Sequence, residues 1–293
     1  MPGIAERRWT SLDGLSLFAR DYAPASGPAN LPVICLHGLT RNSRDFETLA
    51  PHVAAGGRRV LAIDVRGRGR SDWDPNPLQY NPAVYAGDVA TLMAQAGVSR
   101  ALFVGTSMGG LITMTLSALR PDLVAGAVLN DVGPEVGAAG LARIAGYVGG
   151  APSVADWAEA AAYARATNGA ALPDLTEDDW HRFARRVFRE DPAGGLALDY
   201  DPAISEVFKV SPTAAPSAAP PDLWPLFAGL AANRPLLLIR GADSDILEAA
   251  TAERMATAAP HMARVEIAGV GHAPTLEEPA AVAAIDAFLA AAP

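Results

Sequence analysis

Five short apolar runs and one further strand-like segment punctuate the chain, and most of them are followed by a helical pattern: the runs are Pro32-Val33-Ile34-Cys35-Leu36, Arg59-Val60-Leu61-Ala62-Ile63, Ala101-Leu102-Phe103-Val104, Val124-Ala125-Gly126-Ala127-Val128-Leu129 and Pro235-Leu236-Leu237-Leu238-Ile239, and the segment is Arg264-Val265-Glu266-Ile267. Runs of four to six residues without polar alternation suit strands buried on both faces. Helical patterns follow them up to Ala55, at 82–96, from Leu111 to Pro121, at 247–259 and at 277–291, with Val84, Val89, Leu92 and Met93 on the apolar side of the second. Strands and helices alternating at this spacing predict an α/β domain with a mostly parallel sheet between helices. Ligands then bind beyond the carboxyl ends of the strands. A hairpin over residues 7–22, turning at Asp13-Gly14, precedes the alternation.

Between Val132 and Asn233 the rhythm breaks. Helical patterns at 140–148, 153–167 and 176–189 follow one another without an evident strand, then comes the proline-laden stretch from Ser211 to Pro221, which reads as a hinge or loop. The alternation resumes afterwards. The expected organisation is therefore one core domain, residues 1–132 and 235–293, interrupted by a helical insertion at 133–234.

With net charge −9, the chain lacks the basic face that nucleic-acid binding needs. No apolar run reaches the roughly 18 residues of a membrane span, and the opening residues carry no signal-like segment. A cytoplasmic location without membrane contact is the expectation. Cys35 is the single cysteine, so neither an intrachain disulfide nor a cysteine-based metal site is available.

The strand at Ala101–Val104 runs into Gly105-Thr106-Ser107-Met108-Gly109-Gly110 and then a helix. A serine on a sharp strand-to-helix turn projects from the end of the sheet, but the strained backbone requires very small neighbours two residues to either side. Gly105 and Gly109 provide them. The turn also puts the Met108 amide at a helix N-terminus, where developing negative charge is favoured. A serine nucleophile needs a base titrating near neutrality. Of five histidines, His272 is best placed: it follows a late strand and lies between Gly271 and Pro274. His52 and His261 fall in or beside helices, and His181 sits on a charged helix of the insertion.

These motifs together resemble the α/β-hydrolase superfamily, in the branch with a helical cap between two core strands. The resemblance is carried by His37-Gly38-Leu39-Thr40, Asp64-Val65-Arg66-Gly67-Arg68-Gly69-Arg70-Ser71, Gly105–Gly110, Gly241-Ala242-Asp243-Ser244-Asp245 and Gly269–Pro279. It implies a Ser-His-Asp triad of Ser107, His272 and an aspartate. Asp245 is favoured, because Ile246-Leu247 and a helix follow it as in relatives. Asp243, which suits an Asx turn, and Asp131, at an earlier strand end, are alternatives. The amides of Leu39 and Met108 would form the oxyanion hole, with His37 bracing its loop. The 64–71 loop lacks the spacing of a phosphate cradle and reads as structural.

The function expected is hydrolysis of a small carboxylic ester or lactone through an acyl-enzyme, with no metal or cofactor, by a monomer or homodimer. Carbon–carbon bond hydrolysis of a ring-cleavage product, and slow-turnover ligand binding, are the alternatives. Haloalkane and epoxide chemistry is disfavoured, since those relatives carry aspartate at the elbow. Leu141, Ile144, Tyr147, Trp157 and Phe183 of the cap are expected to line the substrate pocket.

Overall fold

A computed structural model describes residues 3–25, 30–150, 152, 154–206 and 221–293. Most of the stretch read as a hinge, residues 211–220, lies outside them. The first two strands, β1 (Ile4–Thr10) and β2 (Ser16–Tyr22), form the expected antiparallel hairpin, which begins earlier than the pattern suggested. Six more strands complete an eight-stranded sheet: β3 (Val33–Leu36), β4 (Val60–Asp64), β5 (Ala101–Thr106), β6 (Val124–Asn130), β9 (Leu236–Gly241) and β10 (Ala263–Ile267). Their spatial order is β1-β2-β4-β3-β5-β6-β9-β10. From β4 to β10 every pairing is parallel, and only the hairpin and its seam with β4 are antiparallel. Residues of β3, β4, β6 and β9 are buried throughout, as parallel strands covered by helices must be.

The helices packed on the sheet include α1 (Leu49–Ala55), α2 (Pro82–Gln95), α3 (Met108–Leu119) and the last, α9 (Pro279–Ala291). Local chemistry sets the start of α2. Asn81 caps α2 by accepting from the amides of Ala83 and Val84, with Pro82 in the first turn where its missing N–H costs nothing.

The chain leaves the sheet after β6 and returns at β9. In between lie α4 (Ala138–Ala145), α5 (Trp157–Asn168) and α6 (Glu177–Val187), close to the three helical patterns. Thr176 and Asp179 close a capping box at the start of α6. Two features of this region depart from the strandless helical reading. A small antiparallel pair, β7 (Phe188–Glu190) and β8 (Leu196–Leu198), follows α6 directly. Strands of three residues are too short for alternation to register. A further helix, α7 (Trp224–Ala231), packs against α3 of the core with Phe227 and Leu230 buried. The remaining helix, α8 (Ala249–Ala258), lies between β9 and β10.

Polar contacts fix the inserted segment to the sheet ends. Arg44 pairs with Asp199, Asn42 Nδ2–H donates to the Arg186 carbonyl at 2.7 Å, and the Tyr80 hydroxyl donates to Asp201 at 2.5 Å.

Candidate active site

Ser107 occupies the junction of β5 and α3 with φ 52° and ψ −115°, the left-handed half of the map that a side chain tolerates only when its surroundings enforce it. The neighbouring glycines explain how. A Cβ on Gly109 would stand 2.1 Å from the Leu36 carbonyl oxygen of β3, and one on Gly105 would stand 2.6 Å from the backbone of Gly109. The elbow can form only because both positions are bare.

From β10, three strands away, the 269–279 loop brings His272 back to this turn. The Ser107 Oγ–H donates to His272 Nε2 at 2.8 Å, and His272 Nδ1–H donates to Asp131 Oδ2 at 2.7 Å. An ionised carboxylate can only accept, so Asp131 fixes the proton on Nδ1 and leaves Nε2 free to receive one. The arrangement lets the imidazole take the hydroxyl proton while the buried carboxylate orients the ring and offsets its charge.

Asp131 is the first residue beyond β6, itself at φ 56° and fully buried. Its carboxylate is also held by the Gly241 amide at 2.9 Å and the Ser244 hydroxyl at 2.6 Å. Ser244 in turn accepts from the amides of Ile246 and Leu247, at 3.2 and 3.1 Å. The loop from which the sequence favoured drawing the acid therefore supplies hydrogen bonds to Asp131 instead.

Asp245 needs correcting: it does not touch His272. Its carboxylate turns to the cap and makes a two-pronged ion pair with Arg143 of α4, both bonds 2.7 Å, and that guanidinium holds its pKa below the usual range. Asp243 is exposed at the turn, its amide donating to the Val270 carbonyl at 2.9 Å. The signal for Asp131 was its place at the end of β6, the strand paired beside β5. Sequence spacing of 24 residues from Ser107 hides an adjacency that the sheet order makes immediate.

The loop after β3 carries Leu39. His37 there is fully buried: Nδ1–H donates to the Gly38 carbonyl at 2.7 Å, and Nε2 accepts from the Val65 amide at 3.1 Å. Arg68, also fully buried, donates from Nε to the Leu39 carbonyl at 2.9 Å and from Nη1 to the Tyr85 hydroxyl at 2.9 Å. The 64–71 loop thus ties the Leu39 loop in place. Arg66 of the same loop is anchored by Asp13, Asp74 and Asp88. Met108 opens α3, where the first amides lack helical partners.

Burial pushes the His37 pKa down to about 4, against an ordinary value of 6.5. The unfolded chain then takes up this proton between those values while the folded chain does not, so stability falls as pH drops through that window. The expected loss by pH 5 is up to about 2 kcal/mol from this residue. Urea midpoints at pH 7 and pH 5 check it: the His37→Asn protein, less stable throughout, should lose clearly less between the two pH values than the parent.

Ser107 and His272 open onto a cavity of about 110 Å³ lined also by Leu39, Thr40, Ile144, Tyr147, Leu172 and Phe183. Three of the five expected cap residues are therefore in its wall. The other two need correcting. Leu141 is exposed on α4, away from the cavity, and Trp157 lies on the cap with the Arg185 guanidinium 4.5 Å above its ring. Polar lining residues that the sequence reading missed are Arg41, Asp45, Asn168 and Arg186. Arg41 has its guanidinium 4.0 Å over the Phe183 ring and pairs with Asp45. Arg186 pairs with Glu277 at 2.7 Å. An apolar helical periodicity search cannot find such side chains, because Arg41 lies in a loop and the charged or polar residues on helices look solvated there.

Among the described residues no helix is long and apolar enough to cross a membrane. Comparison with known proteins agrees with the architecture. Residues 32–279 match the family model described as the alpha/beta hydrolase fold. The 3-hydroxybutyrate-oligomer hydrolase of Cupriavidus necator is 37% identical over 275 residues, 92% of each chain. A crystal structure of an alpha/beta hydrolase from Novosphingobium aromaticivorans superposes with a TM-score of 0.90 at 46% identity, covering 99% of both chains. A serine elbow, a returning histidine loop and a family match spanning both halves of the core lead to one conclusion: this chain belongs to the α/β-hydrolase family.

Proposed function

We propose that the protein is a serine hydrolase that cleaves small carboxylic esters through an acyl-enzyme, with short hydroxyacid oligoesters as its substrate class. The observation that carries this reading is the continuous hydrogen-bonded line Ser107–His272–Asp131 opening into the small cavity. The oligoester class follows from the similarity to the Cupriavidus necator enzyme over nearly the whole of both chains.

In this mechanism Ser107 Oγ attacks the ester carbonyl as its proton passes to His272 Nε2. The resulting imidazolium is stabilised by buried Asp131. Charge collecting on the carbonyl oxygen is met by the Leu39 and Met108 amides at the positive end of α3, a contribution of roughly 3–4 kcal/mol per donor in comparable sites. His272 returns the proton to the departing alcohol oxygen. Water then attacks the acyl-enzyme by the same route, releasing the acid and restoring Ser107. Helices α4, α5 and α6 of the inserted segment serve as a cap over this site, with Gly271 beside His272 donating to the Ala171 carbonyl at 2.7 Å.

A fluorophosphonate probe with peptide mapping, alongside turnover of p-nitrophenyl acetate and of a linear hydroxyacid dimer, tests the reading. Label on Ser107 and turnover of both esters are expected, and label elsewhere would remove Ser107 from the role. Within the cap, alanine at Ile144, Tyr147 or Phe183 should shift the preference between short and medium esters by about tenfold, since a buried methylene is worth about 1–3 kcal/mol in discrimination. Alanine at Leu141 or Trp157 should leave the profile nearly unchanged. Equal effects from the two groups would show that the cavity walls do not select substrate.

A further inference from the structure

The cavity at Ser107 borders two further spaces that share separate parts of its wall. A side space of about 30 Å³ has Thr40, Arg41, Tyr147 and Asn168 in common with it and adds Tyr163 and Tyr200. An outer groove of about 480 Å³ has Leu172, Phe183, Arg186 and Thr275 in common with it and runs between the cap and the start of α9.

The two spaces differ in what they ask of a ligand. Tyr200 is 2% exposed, and its hydroxyl has no hydrogen-bond partner of ordinary geometry among the described residues. The Gly149 backbone amide near it can only donate to the phenol oxygen, so the buried O–H lacks an acceptor. Asp45 engages Arg41 at Nε and Nη2, so a guanidinium with five donors keeps capacity for another acceptor. The walls around Ser107 hold Arg41, paired with Asp45, and Arg186, whose partner Glu277 belongs to the outer groove. The outer groove is the more acidic, with Asp174, Asp179, Glu277 and Glu278 against Arg182 and Arg186. A carboxylate is drawn inward and repelled outward.

We infer that a linear hydroxyacid oligoester binds with one polarity, its free carboxylate against Arg41 and the Tyr200 hydroxyl and its neutral hydroxyl end lying out along the acidic groove. This rests on the oligoester reading above and deepens it. The bond presented to Ser107 is then the last ester before the carboxylate. Ser107 Oγ bonds to that carbonyl carbon, the C–O bond to the terminal unit breaks, and this unit leaves as a free hydroxyacid with the proton from His272. Water hydrolyses the acyl-enzyme to an oligomer one unit shorter, whose new carboxylate suits the same site. Monomers are removed successively from the carboxyl end. Arg41 and Tyr200 act as specificity residues that position the substrate.

The test uses the full chain with three forms of a linear hydroxyacid trimer: free at both ends, methylated at the carboxylate, and acetylated at the hydroxyl. Methylation should raise KM about tenfold or more, as expected when a charge-assisted hydrogen bond is lost, with kcat changed far less, while acetylation should change KM by less than about threefold. With the carboxyl-terminal unit carbon-labelled, the first monomer released should carry the label. Tyr200→Phe should shrink the KM ratio between methylated and free trimer. The opposite sensitivity to capping, or label retained in the dimer, overturns the polarity while the oligoester reading stands. Hydrolysis of p-nitrophenyl acetate with none of the trimers cleaved removes the oligoester reading and the polarity with it.

Discussion

Ser107→Ala should lower kcat on p-nitrophenyl acetate by on the order of 10⁶, the loss seen when a hydrolase nucleophile is removed and only binding and oxyanion stabilisation remain. Stability should barely move. The replacement keeps a Cβ at the same strained backbone, so the strain is neither relieved nor increased, and one hydrogen bond to His272 is lost at about 1 kcal/mol. The thermal midpoint of a chain of this size then shifts by a few degrees at most. Rate and midpoint measured on the same preparation separate the two effects. Residual turnover within tenfold of the parent would mean that another group attacks.

Asp131→Asn should lower kcat by roughly 10³ to 10⁴, with Asp245→Asn costing less than about threefold. The difference follows from the bonds each carboxylate makes. An amide at 131 can offer N–H to His272 Nδ1, which would move the ring proton to Nε2, the atom that must take the Ser107 proton. The Gly241 amide could still donate to the amide oxygen, while the Ser244 hydroxyl, which shares Oδ2 with His272, loses its acceptor, so the fold should survive with a modest loss. At position 245 the substitution breaks only the ion pair with Arg143, in which both side chains are about a third exposed, and such pairs contribute about 0–1 kcal/mol. Parallel kcat measurements on the two variants decide it. A larger loss at 245 than at 131 would return the acid to the loop after β9.

Ser107 and His272 were legible because their requirements are local. The elbow needs glycines at fixed offsets from the serine, and the Cβ clashes at Gly105 and Gly109 are the physical form of that requirement. His272 sits between residues that make a loop after a late strand, which places it at the sheet end whatever the details of packing. The parallel core was legible for a similar reason: runs such as Val33–Leu36 and Val60–Asp64 have no polar face to expose.

The carboxylate that meets His272 was not legible, because choosing among Asp131, Asp243 and Asp245 depends on which strand end lies beside β5 and on what else each carboxylate can reach. Arg143, 102 residues from Asp245 in the chain, diverts that side chain, and nothing in either local sequence announces the pair. The cap divides along the same line. Ile144, Tyr147 and Phe183 reach the cavity while Leu141 and Trp157 do not, although all five are large and apolar. Periodicity gives a helix its apolar side, but which part of that side meets the site depends on how the helix is set against the core. The sequence by itself determined the sheet and the elbow and pointed to the serine and histidine that the structure brings into hydrogen bond, since each follows from steric or hydrophobic demands within a few residues. Only the tertiary structure decided the carboxylate, the cavity wall and its charged lining, since these are set by contacts between segments that the chain brings together only on folding.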